Sequence, residues 1–273
     1  MSEPRLPSPG EVVAAKYRVE AAIGAGGMGA VYRARHERTG KAVALKWLQP
    51  ELARQERAAK RFIREARASA RIRHPNVVDI YDVEEQDGHA FLVMELLEGE
   101  TLRDLLRARR LSIDECLALL VPAMRGVAAA HARGVVHRDI KPDNLFIARH
   151  ADDAQRSVPK VLDFGISKVA ADTPLAEGTL TATGAILGTP HYMSLEQLQG
   201  EEVDARSDIY AFGVVLYECL VGERPFDGES FSAIVVKVAT ETPVDPCKAR
   251  PELPAGPRDV VLNAMARARE ARP

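Results

Sequence analysis

Gly24, Gly26 and Gly29 stand in a G-x-G-x-x-G spacing, and the residues that follow decide what the chain can fold into. In a dinucleotide-binding βαβ unit this loop opens a helix, whose N-terminus receives the pyrophosphate. Here Ala30-Val-Tyr-Arg-Ala-Arg35 alternates instead, so the last glycine leads into a strand. Tyr17–Ile23 alternates ahead of the loop, Thr39-Gly40 supplies a turn, and Ala42-Val-Ala-Leu-Lys-Trp47 returns as a third strand. The glycines therefore form a flap between antiparallel strands, with bare backbone able to approach phosphates closely. A doubly wound parallel sheet is excluded by that context.

The chain then divides into two textures. Leu52 to Arg73 has helical spacing, with Ala59, Phe62, Ile63 and Ala66 on one face, and His74-Pro75 stops it. Strands around Val77–Val83 and Ala90–Glu95 complete a small sheet. Beyond Gly99 the pattern turns helical. Ser112-Ile-Asp-Glu115 is a capping box opening a segment from Ile113 to about Arg133, with a kink or late start expected at Pro122. Further helices are expected over Ser194–Leu198, Ala205–Leu220, Ser230–Ala239 and Pro257–Arg269. Residues 1–16 read as a loose N-terminal tail without the apolar stretch of a secretory signal.

Charge and cysteine usage narrow the function classes. The 273 residues carry 37 Lys and Arg against 39 Asp and Glu, a formal net charge of −2, which argues against a nucleic-acid-coating surface. Cys116, Cys219 and Cys247 lie far apart and form neither a disulfide framework nor a zinc knuckle, in keeping with a reducing cytosol. No apolar run of about 18 residues appears, so no membrane-spanning helix is expected.

Three groups of residues carry chemistry. Lys46 lies on the third strand and Glu65 lies among apolar positions of the helix, where an unpaired carboxylate is costly to desolvate. A lysine aimed at nucleotide phosphates and held by that glutamate satisfies both charges. In His137-Arg-Asp-Ile-Lys-Pro-Asp-Asn144, Asp139, Lys141 and Asn144 offer a base, a phosphate counter-charge and a metal ligand. Asp163-Phe-Gly165 follows the strand Val158–Leu162 and adds a second oxygen ligand of the kind Mg²⁺ takes with ATP.

These motifs, in this order, resemble the protein-kinase signature set over about Tyr17 to Arg272. The glycine loop and Gly188-Thr-Pro-His-Tyr-Met-Ser194 look most like the bacterial, eukaryotic-like Ser/Thr protein kinases. The resemblance implies an α+β, bilobal kinase-like fold. A small antiparallel β-sheet lobe with one helix (about residues 17–97) precedes a larger, mainly helical lobe (about 98–273).

It also implies roles for individual residues. Ile23, Gly24, Ala25, Gly26, Gly27, Met28, Gly29, Ala30 and Val31 would cover the ATP phosphates, with Lys46 on the α- and β-phosphates and paired to Glu65. Met94 would stand behind the adenine, Glu95 to Leu97 would bond its edge, and Val31, Ala44 and Leu145 would sandwich the ring. Asp139 would accept the proton of a Ser or Thr hydroxyl, Lys141 would neutralise the γ-phosphate, and Asn144 and Asp163 would hold Mg²⁺ (or Mn²⁺). Asp208 would anchor the catalytic loop, Thr189 would bond Asp139 and Lys141, and Glu196 would pair with Arg272.

The implied partners are protein substrates and, for activation, another copy of the same kinase phosphorylating Thr181 and Thr183. The implied location is cytoplasmic, as such or as part of a longer membrane-anchored kinase. Leu195 departs from the pattern, replacing the proline of Ser/Ala-Pro-Glu. A small-molecule kinase and a catalytically dead scaffold are the competing readings. The first does not explain the Gly-Thr-Pro…Glu segment, and the second does not explain an intact Lys46, Asp139, Asn144 and Asp163.

Overall fold

The computed structural model describes residues 5–26, 29–86, 89–150, 153–164 and 190–273. The described chain groups into two compact units, one running to Glu98 and including Phe164, the other comprising Gly99–Asp163 and the residues from Pro190 on.

The first unit is built on a six-stranded antiparallel sheet: β1 (Val12–Val13), β2 (Tyr17–Gly26), β3 (Gly29–His36), β4 (Ala42–Leu48), β5 (Ile80–Gln86) and β6 (His89–Met94), in the order β1-β2-β3-β4-β6-β5. Alternation sorts its side chains between two cores. Val43, Leu45 and Trp47 of β4 join Tyr32, Phe91 and Val93 on one face, where Trp47 stacks on Phe91 at 4.4 Å. Leu48 and Leu92 point to the other face and meet Phe62 and Ala66 of helix α2 (Glu56–Ser69). The single helix expected over Leu52–Arg73 is thus two: α1 (Pro50–Ala53) opens on Pro50, and the chain turns at Arg54 and Gln55 before α2. Strand β1 lies inside the segment expected to be a loose tail, held there by pairing with Tyr17 and Arg18.

The second unit carries a three-stranded sheet, β7 (Gly99–Thr101), β8 (Leu145–His150) and β9 (Asp153–Val161). Its helices are α3 (Leu102–Ala108), α4 (Ile113–His131), α5 (Leu195–Leu198), α6 (Ala205–Val221), α7 (Phe231–Thr240), α8 (Pro246–Ala249) and α9 (Ala255–Ala264). The Ser112 capping box forms with both of its bonds, and α4 runs from Ile113 through Pro122 without the late start expected. Helix α6 is buried on all sides from Ser207 onward, as suits an apolar helix at the centre of a bundle. Gly213 admits α9 to its flank: a Cβ there would lie 2.9 Å from the Ala264 Cβ. The last helix ends at Ala264, short of the expected Arg269, and a 3₁₀ turn, Arg269–Ala271, follows.

Candidate active site

In the second unit, a buried carboxylate organises the loop after α4. Asp208 sits in the first turn of α6, 1% exposed, and accepts the backbone N–H of His137 (2.8 Å) and of Arg138 (2.7 Å) while bonding His131 Nε2 (2.7 Å). Arg138 adopts φ 69°, a left-handed conformation costly for a branched-out side chain, and those bonds hold it there. The turn delivers Asp139, whose N–H donates to His137 Nδ1 at 3.2 Å. Lys141 Nζ donates to both Asp139 carboxylate oxygens, at 3.0 and 2.9 Å. Asn144 Nδ2 donates to the Asp139 carbonyl (2.7 Å) and to Oδ2 (3.0 Å). A carboxylate, an ammonium and an amide are thereby locked together in one short loop.

The β8–β9 register brings Asp163 to the same place. Leu145 faces Val161, and just past the ladder Leu162 N–H donates to the Asn144 carbonyl at 2.9 Å. The Leu162 carbonyl bonds His137 Nε2 at 2.6 Å. With Nδ1 accepting from Asp139, Nε2 is the ring nitrogen that donates to this carbonyl. Asp163 follows at φ 60°, a second left-handed non-glycine residue beside the first.

In the first unit, strand alternation places Lys46 on the face that Leu48 and Leu92 share with α2, and the lysine is 7% exposed. Its register partners are Val31 and Leu92, while Ala44 stands opposite Met94. A Cβ on Gly29 would fall 1.9 Å from the Trp47 carbonyl oxygen, so packing demands glycine there. Gly26 is different: a Cβ would meet nothing within 4 Å, and Gly24 would make only an ordinary 3.9 Å contact with Val31. Protein packing does not require those two glycines, which is what a loop kept bare for an external group looks like. Glu65 accepts Arg64 Nη2 at 3.3 Å. Ser69, one turn on, donates to the carbonyls of Glu65 (2.9 Å) and Phe164 (3.0 Å). Gly27, Met28, Thr181, Thr183 and Thr189 lie outside the described residues.

The sequence profile of the protein kinase domain family matches residues 17–256. The chain belongs to the protein kinase domain family. It is 39% identical over 271 residues to Serine/threonine-protein kinase pkn3 of Myxococcus xanthus, covering 97% of this chain and 48% of that protein. It is 37% identical over 257 residues to Serine/threonine-protein kinase PknB of Mycolicibacterium smegmatis, covering 92% and 40%. The crystal structure of the Mycobacterium tuberculosis PknI kinase domain superposes with a TM-score of 0.76 at 26% identity, covering 98% of this chain and 94% of that one. The kinase chain thus spans about half or less of the curated relatives' length.

Two further arrangements support the loop that carries Asp139. Gln197 Nε2 of α5 donates to the Arg138 carbonyl at 2.9 Å, while its Oε1 accepts the Ser194 N–H as part of a capping box. One residue back, Glu196 forms the expected pair with Arg272, at 2.6 and 3.0 Å, and accepts Ser207 Oγ at 2.5 Å. Burial opposes the charge on Glu196, but the bonds from Arg272 and Ser207 outweigh it and hold the carboxyl down at about 2.

Among the described residues no three His, Cys, Asp or Glu side chains gather as a metal cage. Asn144 and Asp163 offer one amide oxygen and one carboxylate. That sparse set fits Mg²⁺, which keeps much of its shell as water and phosphate and takes only one or two carboxylates from a protein. A separate polar network, Arg103 with Asp143, Tyr192 and Glu218, was not anticipated from the sequence. Its members are spread over four elements, and only the fold brings them together.

Proposed function

We propose that this kinase transfers the γ-phosphoryl group of ATP to Ser or Thr hydroxyls of proteins, with Asp139 as the acceptor's base and Lys141 as the counter-charge on the moving phosphoryl group. The observation that carries this reading is the Asp139–Lys141–Asn144 cluster: Lys141 Nζ lies about equally far from both carboxylate oxygens, at 3.0 and 2.9 Å. In such a reaction the protein does little covalent chemistry and supplies position and charge neutralisation. The lysine orients the Asp139 carboxylate to take the hydroxyl proton as the oxygen attacks. Asn144 fixes the same carboxylate through Nδ2, which would leave its amide oxygen as a metal ligand beside Asp163. Held by Asn144 and Asp163, Mg²⁺ would supply positive charge against the phosphates as they react; Mn²⁺ has the same ligand preference.

In this reading Lys46 meets the α- and β-phosphates under the loop from Ile23 to Val31. Val31, Ala44 and Leu145 flank the purine ring, with Met94 behind it. Glu95 gives its N–H to the Asp79 carbonyl at 2.9 Å, so its carbonyl and the Leu97 backbone are the groups that bond the purine edge. Residues 17–97 act as the nucleotide-binding lobe and 98–273 as the lobe that receives the protein substrate. A cytoplasmic location, where ATP and reduced cysteines coexist, belongs to the same reading. Radiolabelled ATP with Mg²⁺ and a generic basic protein tests it: label should appear on phosphoserine and phosphothreonine. Transfer to a small-molecule acceptor alone, or none at all, would refute it.

Activation belongs to the proposal as well. Arg138, beside Asp139, holds a buried Nε with no hydrogen bond among the described residues. A phosphothreonine brings roughly −2 charge and strong acceptor oxygens that suit such a guanidinium. Phosphorylation of Thr181 and Thr183 by another copy of the kinase supplies that group. Recombinant protein should carry phosphate there, and the Thr181→Ala, Thr183→Ala double variant should lose activity to the level of phosphatase-treated enzyme. Full activity without phosphate at these positions would exclude it.

A further inference from the structure

The second unit holds a cation, Arg103, mostly enclosed, its side chain 17% exposed. Arg103 occupies the first turn of α3, a helix capped by Thr101 Oγ1, which accepts the Asp104 N–H at 3.1 Å. From there its guanidinium reaches three partners on three other elements. Nη1 donates to Glu218 Oε1 of α6 at 2.7 Å, Nε reaches Asp143 Oδ2 at 3.4 Å, and Nη2 donates to the Tyr192 hydroxyl. The Tyr192 hydroxyl in turn donates to Glu218 Oε2 at 2.6 Å, and the guanidinium lies 5.8 Å from the Tyr192 ring centre. Tyr192 closes the turn Pro190–Tyr192.

The two carboxylates differ in a way that matters. The Glu218 side chain is 10% exposed, so an unpaired carboxylate there would be costly to desolvate, whereas the Asp143 side chain is 48% exposed. Asp143 also sits beside Asn144, whose amide is 3.0 Å from the Asp139 carboxylate. A protein segment presenting its hydroxyl to Asp139 therefore passes within side-chain reach of this pair. Two carboxylates so placed attract a cationic side chain from that segment unless something already neutralises them, and Arg103 does so with a planar fork that Lys cannot reproduce.

Resting on the kinase reading above, we propose that Arg103 is a specificity-determining residue: it supplies from within the chain the cation that Asp143 and Glu218 would otherwise draw from the acceptor segment. The wild-type enzyme is therefore indifferent to arginine beside the acceptor residue. Removing Arg103 opens a cation site, and selectivity for basic acceptors appears.

The test compares kcat/KM for three serine peptides: a neutral one, one with arginine ahead of the serine and one with arginine behind it. Wild type should treat the three alike. Arg103→Met should favour one arginine peptide over the neutral one by on the order of tenfold, the worth of one charge-assisted hydrogen bond, and mainly through KM. Adding Glu218→Gln should abolish that preference, and Arg103→Lys, which keeps the charge but not the fork, should show a smaller preference than Arg103→Met. A purely structural role for Arg103 would lower turnover on all three peptides equally. If Arg103→Met melts below the assay temperature, Arg103→Gln retains donors for Tyr192 and Glu218 without the charge and serves in the same comparison. Unchanged selectivity in a folded, active Arg103 variant overturns this inference alone. Failure of wild type to phosphorylate any of the three peptides overturns the kinase reading and this inference with it.

Discussion

At the scale of single residues, the glycine loop separates two kinds of constraint. Gly29→Ala places a methyl group 1.9 Å from the Trp47 carbonyl oxygen, so β3 and β4 must move apart. Overpacking of this sort costs about 1–3 kcal/mol, and we expect a lower melting temperature whether or not nucleotide is present. Gly26→Ala meets open space and should leave the melt unchanged while raising the KM for ATP. A melt that falls equally for both variants would mean that the loop glycines serve packing alone. Lys46→Met should keep the fold, since a long apolar chain replaces a side chain 7% exposed, yet remove most phosphoryl transfer. Asp163→Asn should abolish transfer more completely, and near-wild-type turnover by either in a Mg²⁺-ATP assay would refute the site. Strand period made the face of Lys46 legible in the sequence. The break at Arg54 and Gln55 was not, because Pro50 starts a separate short helix inside a stretch whose apolar spacing runs on unbroken.

At the scale of elements, short pieces decided by tertiary contacts escaped the sequence while strongly signalled ones did not. The Ser112–Glu115 box marked the start of α4 to the residue, because both bonds of that box are local. Helix α3 carries only seven residues after Thr101, too few for a periodic pattern, and is held by its cap and by Arg103. Helix α5 shows how a departure from the family pattern is absorbed. Leu195 occupies its first position, where the N–H has no intrahelical acceptor, and the Ser194–Gln197 box already fixes the turn. Leu195→Pro suits that position, since proline presets the helical φ and loses no bond. We expect stabilisation of about 0.4–1 kcal/mol by reduced unfolded-state entropy, with equal or better peptide phosphorylation. Clearly weaker phosphorylation would identify the Leu195 side chain, itself half-buried, as an adapted part of the substrate surface.

At the scale of the whole chain, one ion pair governs how the second unit responds to acid and to mutation. Arg272 has a fully buried side chain and gives its remaining donors to the carbonyls of Ala266, Arg206 and Arg267. Glu196→Ala leaves that guanidinium without a counter-ion, a change that typically costs about 3–5 kcal/mol; an unchanged thermal melt would show that the pair is dispensable. Because the folded carboxyl titrates at about 2 against an ordinary 4.5, its contribution is complete above the ordinary value and drains away as pH falls toward the lower one. Acid unfolding of Glu196→Gln should therefore be shallower than that of wild type over this window. The same pair has a consequence for the order in which the chain becomes a protein. Glu196 leaves the ribosome 76 residues before the arginine it needs. Until then α5 holds a carboxylate with no counter-ion, and the Gln197 contact that steadies the Arg138 turn hangs from an element not yet anchored. The turn that carries Arg138 and Asp139 is thus among the last features to be anchored, and a nascent chain too short to include Arg272 has that turn only in outline.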